Sequence, residues 1–212
     1  MADPILYGPA YSTYVRTARL ALEEKGVPHQ LVEVDFLQGE MPAEQVARHP
    51  FGKVPAFEHN GFALYEACAI ARYIDMAFDG PSLQPVDARG AARMTQIVSV
   101  LDSYAYGPTI SQLVIQRMVQ PMLGGQSDEA AISAALPDVD KAMAALEALI
   151  GGNAWLAGDA LSLADLHAAP IFAYFTATPE AASILADKPG LHRWWEAMQA
   201  RDSMTKTQPQ LG

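Results

Sequence analysis

Cysteine is nearly absent from this chain: Cys68 is the single thiol among 212 residues. That excludes an internal disulfide, a CxxC redox pair and a cysteine-built zinc cluster, and it suits a reducing cytoplasm. Positive charge is scarce as well, 14 Lys and Arg against 24 Asp and Glu, for a formal net charge of −10. Nucleic-acid binding needs clustered cations against the phosphates, so that class is excluded. No apolar run approaches the roughly 18 residues of a membrane span. The opening "MADPILYG" lacks the basic and apolar regions of a secretory leader. What is plentiful is apolar: half the residues, against 18 % charged, the balance of a globular protein with a substantial core.

Two grammars divide the chain. Residues 1–78 alternate strand and helix signals. "PILYG" is a short β-favouring run ended by Gly8-Pro9. Ser12 reads as the N-cap of "TYVRTARLALEEKG", where Val15, Ala18, Ala21 and Leu22 form an apolar stripe and Gly26 is the stop. "PHQLVEVDF" alternates as a second strand, and "MPAEQVARH" is a short helix with proline near its start. "VPAFE" and "FALYE" flank His59-Asn60-Gly61, whose Asn-Gly pair signals a tight hairpin. "EACAIARYIDMAF" closes the unit as a helix. The order β-α-β-α-β-β-α predicts a four-stranded mixed sheet, its first two strands made parallel by a crossover helix.

Residues 79–86 lie in the Gly- and Pro-rich "DGPSLQPVDARG" and read as a linker; residues 87–212 are helical in pattern. One long helix spans 87–121, kinked at Pro108 and stopped by Pro121. "SDEAAISAALPDVDKAMAALEALIGG" gives a second, with an internal proline and a double-glycine stop. In "ALSLADLHAAPIFAYF", Ser162 and Asp165 are spaced as a capping box and Leu161 and Leu166 as a hydrophobic staple, a structural signature. "KPGLHRWWEAMQAR" supplies a last helix, packed through Trp194-Trp195, and "DSMTKTQPQLG" reads as a polar tail. There is no internal repeat.

Pro55, just ahead of the apolar Ala56-Phe57, poses a question of geometry. Lacking an N–H, it fits only the start or edge of a strand. Either it ends a loop, or it is cis and turns the Val54 backbone outward to grip a peptide-like ligand. From the residues alone both readings stand.

Four stretches carry a family likeness: "LYGPAYSTYVRTARLALEEKG", "HPFGKVPAFE", "LYEACAIARYI" and "LSLADLHAAPI". In this order and spacing the chain resembles the soluble glutathione transferases, of serine type and bacterial or phi-like, over nearly its whole length. The resemblance implies an α+β thioredoxin-like N-terminal domain followed by an all-α helical bundle. It implies that Val54-Pro55 is cis and that Val54 meets the cysteinyl backbone of glutathione with its N–H and C=O. Glu66 would receive the γ-glutamyl ammonium, and Lys53 the glycyl carboxylate. The implied activity adds the glutathione thiolate to a small hydrophobic electrophile, with glutathione as co-substrate and neither cofactor nor metal. A cytoplasmic homodimer is implied too, the N-terminal domain of one subunit against the helical domain of the other, with no nucleic-acid or membrane partner.

The chemistry asks for a thiolate near neutral pH. Free thiols titrate near 8.5, so a shift of about two units needs roughly 2.7 kcal/mol of preferential thiolate stabilisation. One hydroxyl hydrogen bond to the charged sulfur plus a helix N-terminus is enough. Ser12 sits where the two coincide, matching the family's catalytic serine, and Arg16 one turn on adds positive charge. Tyr11 and Tyr7 are rival hydroxyls, the first at the site's lip and the second at the end of the first strand.

Two departures from the family stand out. Ala67 takes the place of a Ser or Thr after the acidic residue, leaving only its backbone N–H for the γ-glutamyl carboxylate, and Met41 takes the place of a histidine. They favour the competing reading, a non-catalytic member of the fold that binds apolar ligands or a protein partner. A thiol-disulfide oxidoreductase would need a cysteine near the first helix, where the chain has Tyr11-Ser12. For the second substrate, Asp102 and Tyr106 share a helix face at i, i+4, with Tyr106 as a pocket wall. Cys68 reads as a small buried group, and His167 and His192 as structural residues without ligand spacing.

Overall fold

The computed structural model describes residues 2–36 and 39–209. They form two compact units, one running to Gln84 and resuming from Ala200, the other spanning Pro85–Gln199.

In the first unit the expected order appears: β1 (Ile5–Tyr7), α1 (Thr13–Glu24), β2 (Gln30–Val32), α2 (Ala43–Arg48), β3 (Ala56–His59), β4 (Phe62–Tyr65) and α3 (Ala67–Ala77). The sheet order is β2-β1-β3-β4. β1 runs parallel to β2 and antiparallel to β3, and β3 is antiparallel to β4. The hairpin turns on Asn60 (φ 51°) and Gly61 (φ 79°), both in the left-handed region a two-residue primed turn requires. α1 buries Val15, Ala18, Ala21 and Leu22, and α3 buries Ile70, Ala71 and Ile74. Gly26 ends α1 at φ 67°, with the Val27 N–H bonded back to the Leu22 carbonyl.

Two expectations about length are corrected. The second strand is three residues, not nine, because β1 is itself only three long and offers no further partners. Beyond it Val34 turns inward to pack with Tyr7 and Ala56. The supposed polar tail contains a further helix, α10 (Asp202–Lys206), held on α1. Arg201 forks onto Glu24 at 2.7 and 2.6 Å, and the Arg16 guanidinium donates to the Met204 carbonyl at 2.9 Å.

The second unit is built of helices, with an isolated antiparallel bridge between Trp155 and Gly158. Asp87 caps α4 (Ala88–Val100) by accepting from the Arg89 and Gly90 N–H groups at 3.0 Å. The helix then runs on in wide π turns over Leu101–Ala105 and Gly107–Val119 and ends in the short α5 (Gln120–Met122). The disruption expected at Pro108 is absorbed by these i→i+5 turns, as in the Tyr106 N–H bond to Leu101. Pro121 lies inside the last turn, and the stop falls at Gly124, φ 81°. α6 (Glu129–Ile150) is capped by Asp128 and tolerates Pro137. α7 (Leu163–Phe175), α8 (Ala181–Leu185) and α9 (Pro189–Gln199) complete the unit.

The Asp165 carboxylate is fully buried and accepts from the Ser162 N–H and hydroxyl, the Leu156 N–H and Trp194 Nε1, at 2.7–2.8 Å. Burial pushes its pKa up, and the four donors pull against that. Trp194 is fully buried beside Phe172, ring centroids 4.7 Å apart.

Candidate functional site

Strand register builds the site. Tyr7 pairs with Ala56 across β1 and β3, and Ala56 pairs with Tyr65 across β3 and β4. The chain therefore leaves β1 at Gly8, enters β3 from Pro55 and leaves β4 at Glu66 at one end of the sheet, on strands about 4.8 Å apart. Gly8 has φ 144°, and a Cβ there would lie 2.5 Å from the Val15 side chain and 3.1 Å from that of Val54. The first turn of α1 and the Val54 loop thus converge on a position only glycine fits. The N-termini of α1 and α3 both start from this end, which favours anionic groups there.

Ser12 is the N-cap of α1, its Oγ accepting from the Val15 N–H at 3.4 Å, a long bond. The hydroxyl proton has no acceptor among the described residues. Tyr11 is placed differently. Its hydroxyl reaches toward Asp35 at 3.5 Å, and burial together with the Asp35 charge pushes its pKa up to about 12. Tyr7 is packed in the sheet, its hydroxyl 3.5 Å from Glu58 and the Arg48 guanidinium 4.1 Å above its ring. Arg16 is 5 % exposed and donates through Nε to Thr207 and through Nη2 to Met204. Those bonds tie it to the C-terminal segment, a bracing role the sequence reading did not foresee.

The Val54–Pro55 bond is cis. Lys53 is exposed, and its carbonyl accepts from the Gln45 amide at 2.9 Å, which anchors the approach to Val54 on α2. Met41 packs on the Tyr7, Val34 and Ala56 cluster. Glu66 and Ala67 begin α3, with Ala67 buried and the Glu66 side chain 60 % exposed. Glu66 holds φ 73° and ψ 117°, a backbone state that costs a non-glycine residue about 1–3 kcal/mol and gathers at functional sites. Its nearest cation-forming neighbour is His49, whose Nε2 stands 3.9 Å from the carboxylate. Gln45 and His49 escaped sequence reasoning, since nothing in a six-residue helix marks which residues reach a loop.

A glutathione S-transferase N-terminal domain matches residues 6–82, and a glutathione S-transferase C-terminal domain matches residues 106–202. Glutathione S-transferase 3 of Zea mays is 33 % identical over 208 residues, covering 98 % of this chain and 94 % of the relative. The chain belongs to the glutathione S-transferase family. Among solved structures it is similar to glutathione S-transferase III in apo form, at 33 % identity and a TM-score of 0.84, covering 97 % of this chain and 95 % of that one. It is also similar to glutathione S-transferase I from mais in complex with an atrazine glutathione conjugate, at 30 % identity, TM-score 0.83 and coverage of 97 % and 96 %.

In the helical unit of this glutathione S-transferase, Asp102 and Tyr106 lie on the wide turns rather than on a regular α face. Asp102 is paired with the buried His167, Nε2 to carboxylate 2.7 Å. Tyr106 is half-buried. Cys68, expected inside, is exposed in the first turn of α3. The apolar stripe of that helix falls on Ile70, Ala71 and Ile74, which turns position 68 outward. Among the described residues no group of three or more His, Cys, Asp or Glu could hold a metal ion, and no helix is long and apolar enough to cross a membrane.

Proposed function

We propose that this glutathione S-transferase is of serine type: the glutathione thiol gives its proton to solvent, and Ser12 holds the resulting thiolate by donating a hydrogen bond from its hydroxyl to the sulfur. The thiolate attacks a small hydrophobic electrophile, a C–S bond forms and the leaving group departs. The observation that carries the reading is the state of the Ser12 hydroxyl. It sits at the N-terminus of α1 with its proton uncommitted among the described residues, whereas the Tyr11 hydroxyl is turned toward a carboxylate. A donor pushed up to about 12 stabilises an anion less well than one near its ordinary value.

Around the sulfur, Val54 meets the cysteinyl backbone, Glu66 accepts from the γ-glutamyl ammonium, the Ala67 N–H receives the γ-glutamyl carboxylate and Lys53 faces the glycyl carboxylate. Arg16 braces α1 and adds long-range positive charge. Tyr106 walls the electrophile pocket, and Asp102, already paired with His167, acts beside it by shaping that wall. The protein works in the cytoplasm as a homodimer, the family's usual assembly; the exposed Phe51 and Val46 are apolar surface such a contact would cover.

Calorimetric titration with glutathione, followed by turnover with a chlorodinitrobenzene-type electrophile, tests the reading. We expect binding at or below millimolar glutathione and conjugate formation. Absence of binding at millimolar glutathione, for this chain and for Ala67→Ser alike, would instead make it a non-catalytic member of the family.

A further inference from the structure

His49 closes α2 and has no part in the binding scheme above. The residue is 2 % exposed, and its ring lies against Tyr65 and Phe51, with centroids 4.7 and 6.2 Å away. Nε2 stands 3.9 Å from the Glu66 carboxylate, while Nδ1 is buried without a hydrogen-bond partner. A neutral imidazole carries its proton on the nitrogen that faces an acceptor. Here that is Nε2, which leaves Nδ1 as a bare lone pair beside aromatic rings. Charging the ring would add an N–H at Nδ1, where no side chain is now bonded and only the residue's own backbone favours the charged form.

The groups facing His49 come from three directions. Glu66 stands at the head of α3, Tyr65 at the end of β4 and Lys53 in the loop before β3. On α2 itself Gln45 donates its amide N–H to the Lys53 carbonyl, while its Oε1 is buried without a partner. Burial opposes the imidazolium most strongly; Glu66 and the residue's own backbone favour it and Lys53 opposes it, and burial prevails, so the pKa lies below the usual histidine value.

We propose that His49 is a positioning residue for Glu66 and makes the γ-glutamyl subsite sensitive to pH. Neutral, it leaves the whole carboxylate charge to the ligand's ammonium. Protonated, it pairs with Glu66 itself and competes with that ammonium. The proposal rests on reading Glu66 as the ammonium's acceptor. Two cations sharing one carboxylate disfavour each other, so ligand binding expels the imidazole proton and acid weakens the ligand in equal measure. Affinity then falls by up to about tenfold per pH unit below the imidazole's own pKa, until the protonated form's weaker affinity is reached.

S-methylglutathione is the probe, because its thioether does not ionise and removes the thiol from the readout. Between about pH 7.5 and about pH 5, calorimetry should show its Kd rising roughly three- to tenfold in the wild type, and less than about twofold in His49→Asn. A flat wild-type profile overturns the proposal, as does a His49→Asn profile that follows the wild type. Glu66→Gln separates this from the underlying site. If Glu66→Gln binds the probe as tightly as the wild type, the Glu66 reading itself has failed. If Glu66→Gln binds weakly while His49→Asn keeps the wild-type slope, only the His49 proposal has. Should His49→Asn not fold, the His49 imidazole is titrated by NMR in the wild type: its pKa must drop on adding S-methylglutathione, and an unmoved pKa refutes the coupling.

Discussion

Replacing Ser12 by Ala removes two things that differ in size and in readout. One is the cap. The Oγ bond to the Val15 N–H is 3.4 Å long, so the loss belongs at the low end of the usual range, about 0.5 kcal/mol. In a chain of this size that is a fall in Tm of about 1–2 °C. The other is the hydrogen bond to the bound thiolate. Bonds to charged groups contribute about 1.5–3 kcal/mol, which at about 1.4 kcal/mol per unit raises the thiol pKa by one to two units. From a wild-type bound thiol about two units below the free value near 8.5, conjugation at saturating glutathione at pH 7 should then fall about threefold to twenty-five-fold and recover as pH rises toward that free value. The assay is the pH–rate profile with a chlorodinitrobenzene-type electrophile, beside the thiolate absorbance of bound glutathione. Tyr11→Phe and Tyr7→Phe leave the head of α1 intact and should keep the wild-type profile. If Ser12→Ala keeps that profile while either tyrosine variant shifts it upward, the serine mechanism is wrong and Ser12 is only a cap.

Ala67→Ser restores a hydroxyl at the head of α3 and should tighten glutathione by about fivefold, on the order of 1 kcal/mol, measured by calorimetry. Asp165→Ala strips an acceptor from the Leu156 N–H, the Ser162 N–H and Trp194 Nε1, and should cost about 3 kcal/mol or more in urea unfolding. Burial alone would raise the pKa of Glu24, but its bonds from Arg201 and Ser203 hold it below the usual carboxylate value. Its contribution is therefore present above about pH 4.3 and lost as pH falls through the lower folded value. Glu24→Gln should destabilise by about 1–3 kcal/mol at neutral pH and by much less near pH 3, and equal deficits at both would contradict the pairing. Tyr106→Ala should raise the KM for the electrophile several-fold and leave the glutathione Kd unchanged; a loss confined to glutathione would remove Tyr106 from the pocket wall.

Features with local causes were legible in the sequence. Asn60-Gly61, Gly26, the Ser162–Asp165 pair and the N-cap at Ser12 each depend on neighbours within a few residues, and each is where it was expected. The cis bond at Val54–Pro55 was legible only through family resemblance, since the residues by themselves left both isomers open. What was misread had distant causes. β2 is cut short by the length of its partner β1, and α10 forms against arginines and a glutamate on α1, far away in sequence. Cys68 was placed inside because cysteine is often buried, while the helix stripe that decides the matter runs through Ile70 and Ile74. His49 and Gln45 stayed invisible for the same reason: their partners, Glu66 and Lys53, belong to other segments.

The discontinuity of the first unit has a consequence for the order of synthesis. A ribosome adding about 5–20 residues per second finishes the sheet and α1 on the order of ten seconds before the chain from Ala200 emerges, because all of Pro85–Gln199 is made in between. Throughout that interval Glu24 lacks Arg201, and Arg16 lacks the Met204 carbonyl and the Thr207 hydroxyl. The helix that begins at the proposed catalytic serine is thus the last part of its unit to be braced. A nascent chain stalled before Ala200 should hold its strands paired yet expose α1 to proteolysis, and resistance there should arrive only with the final segment.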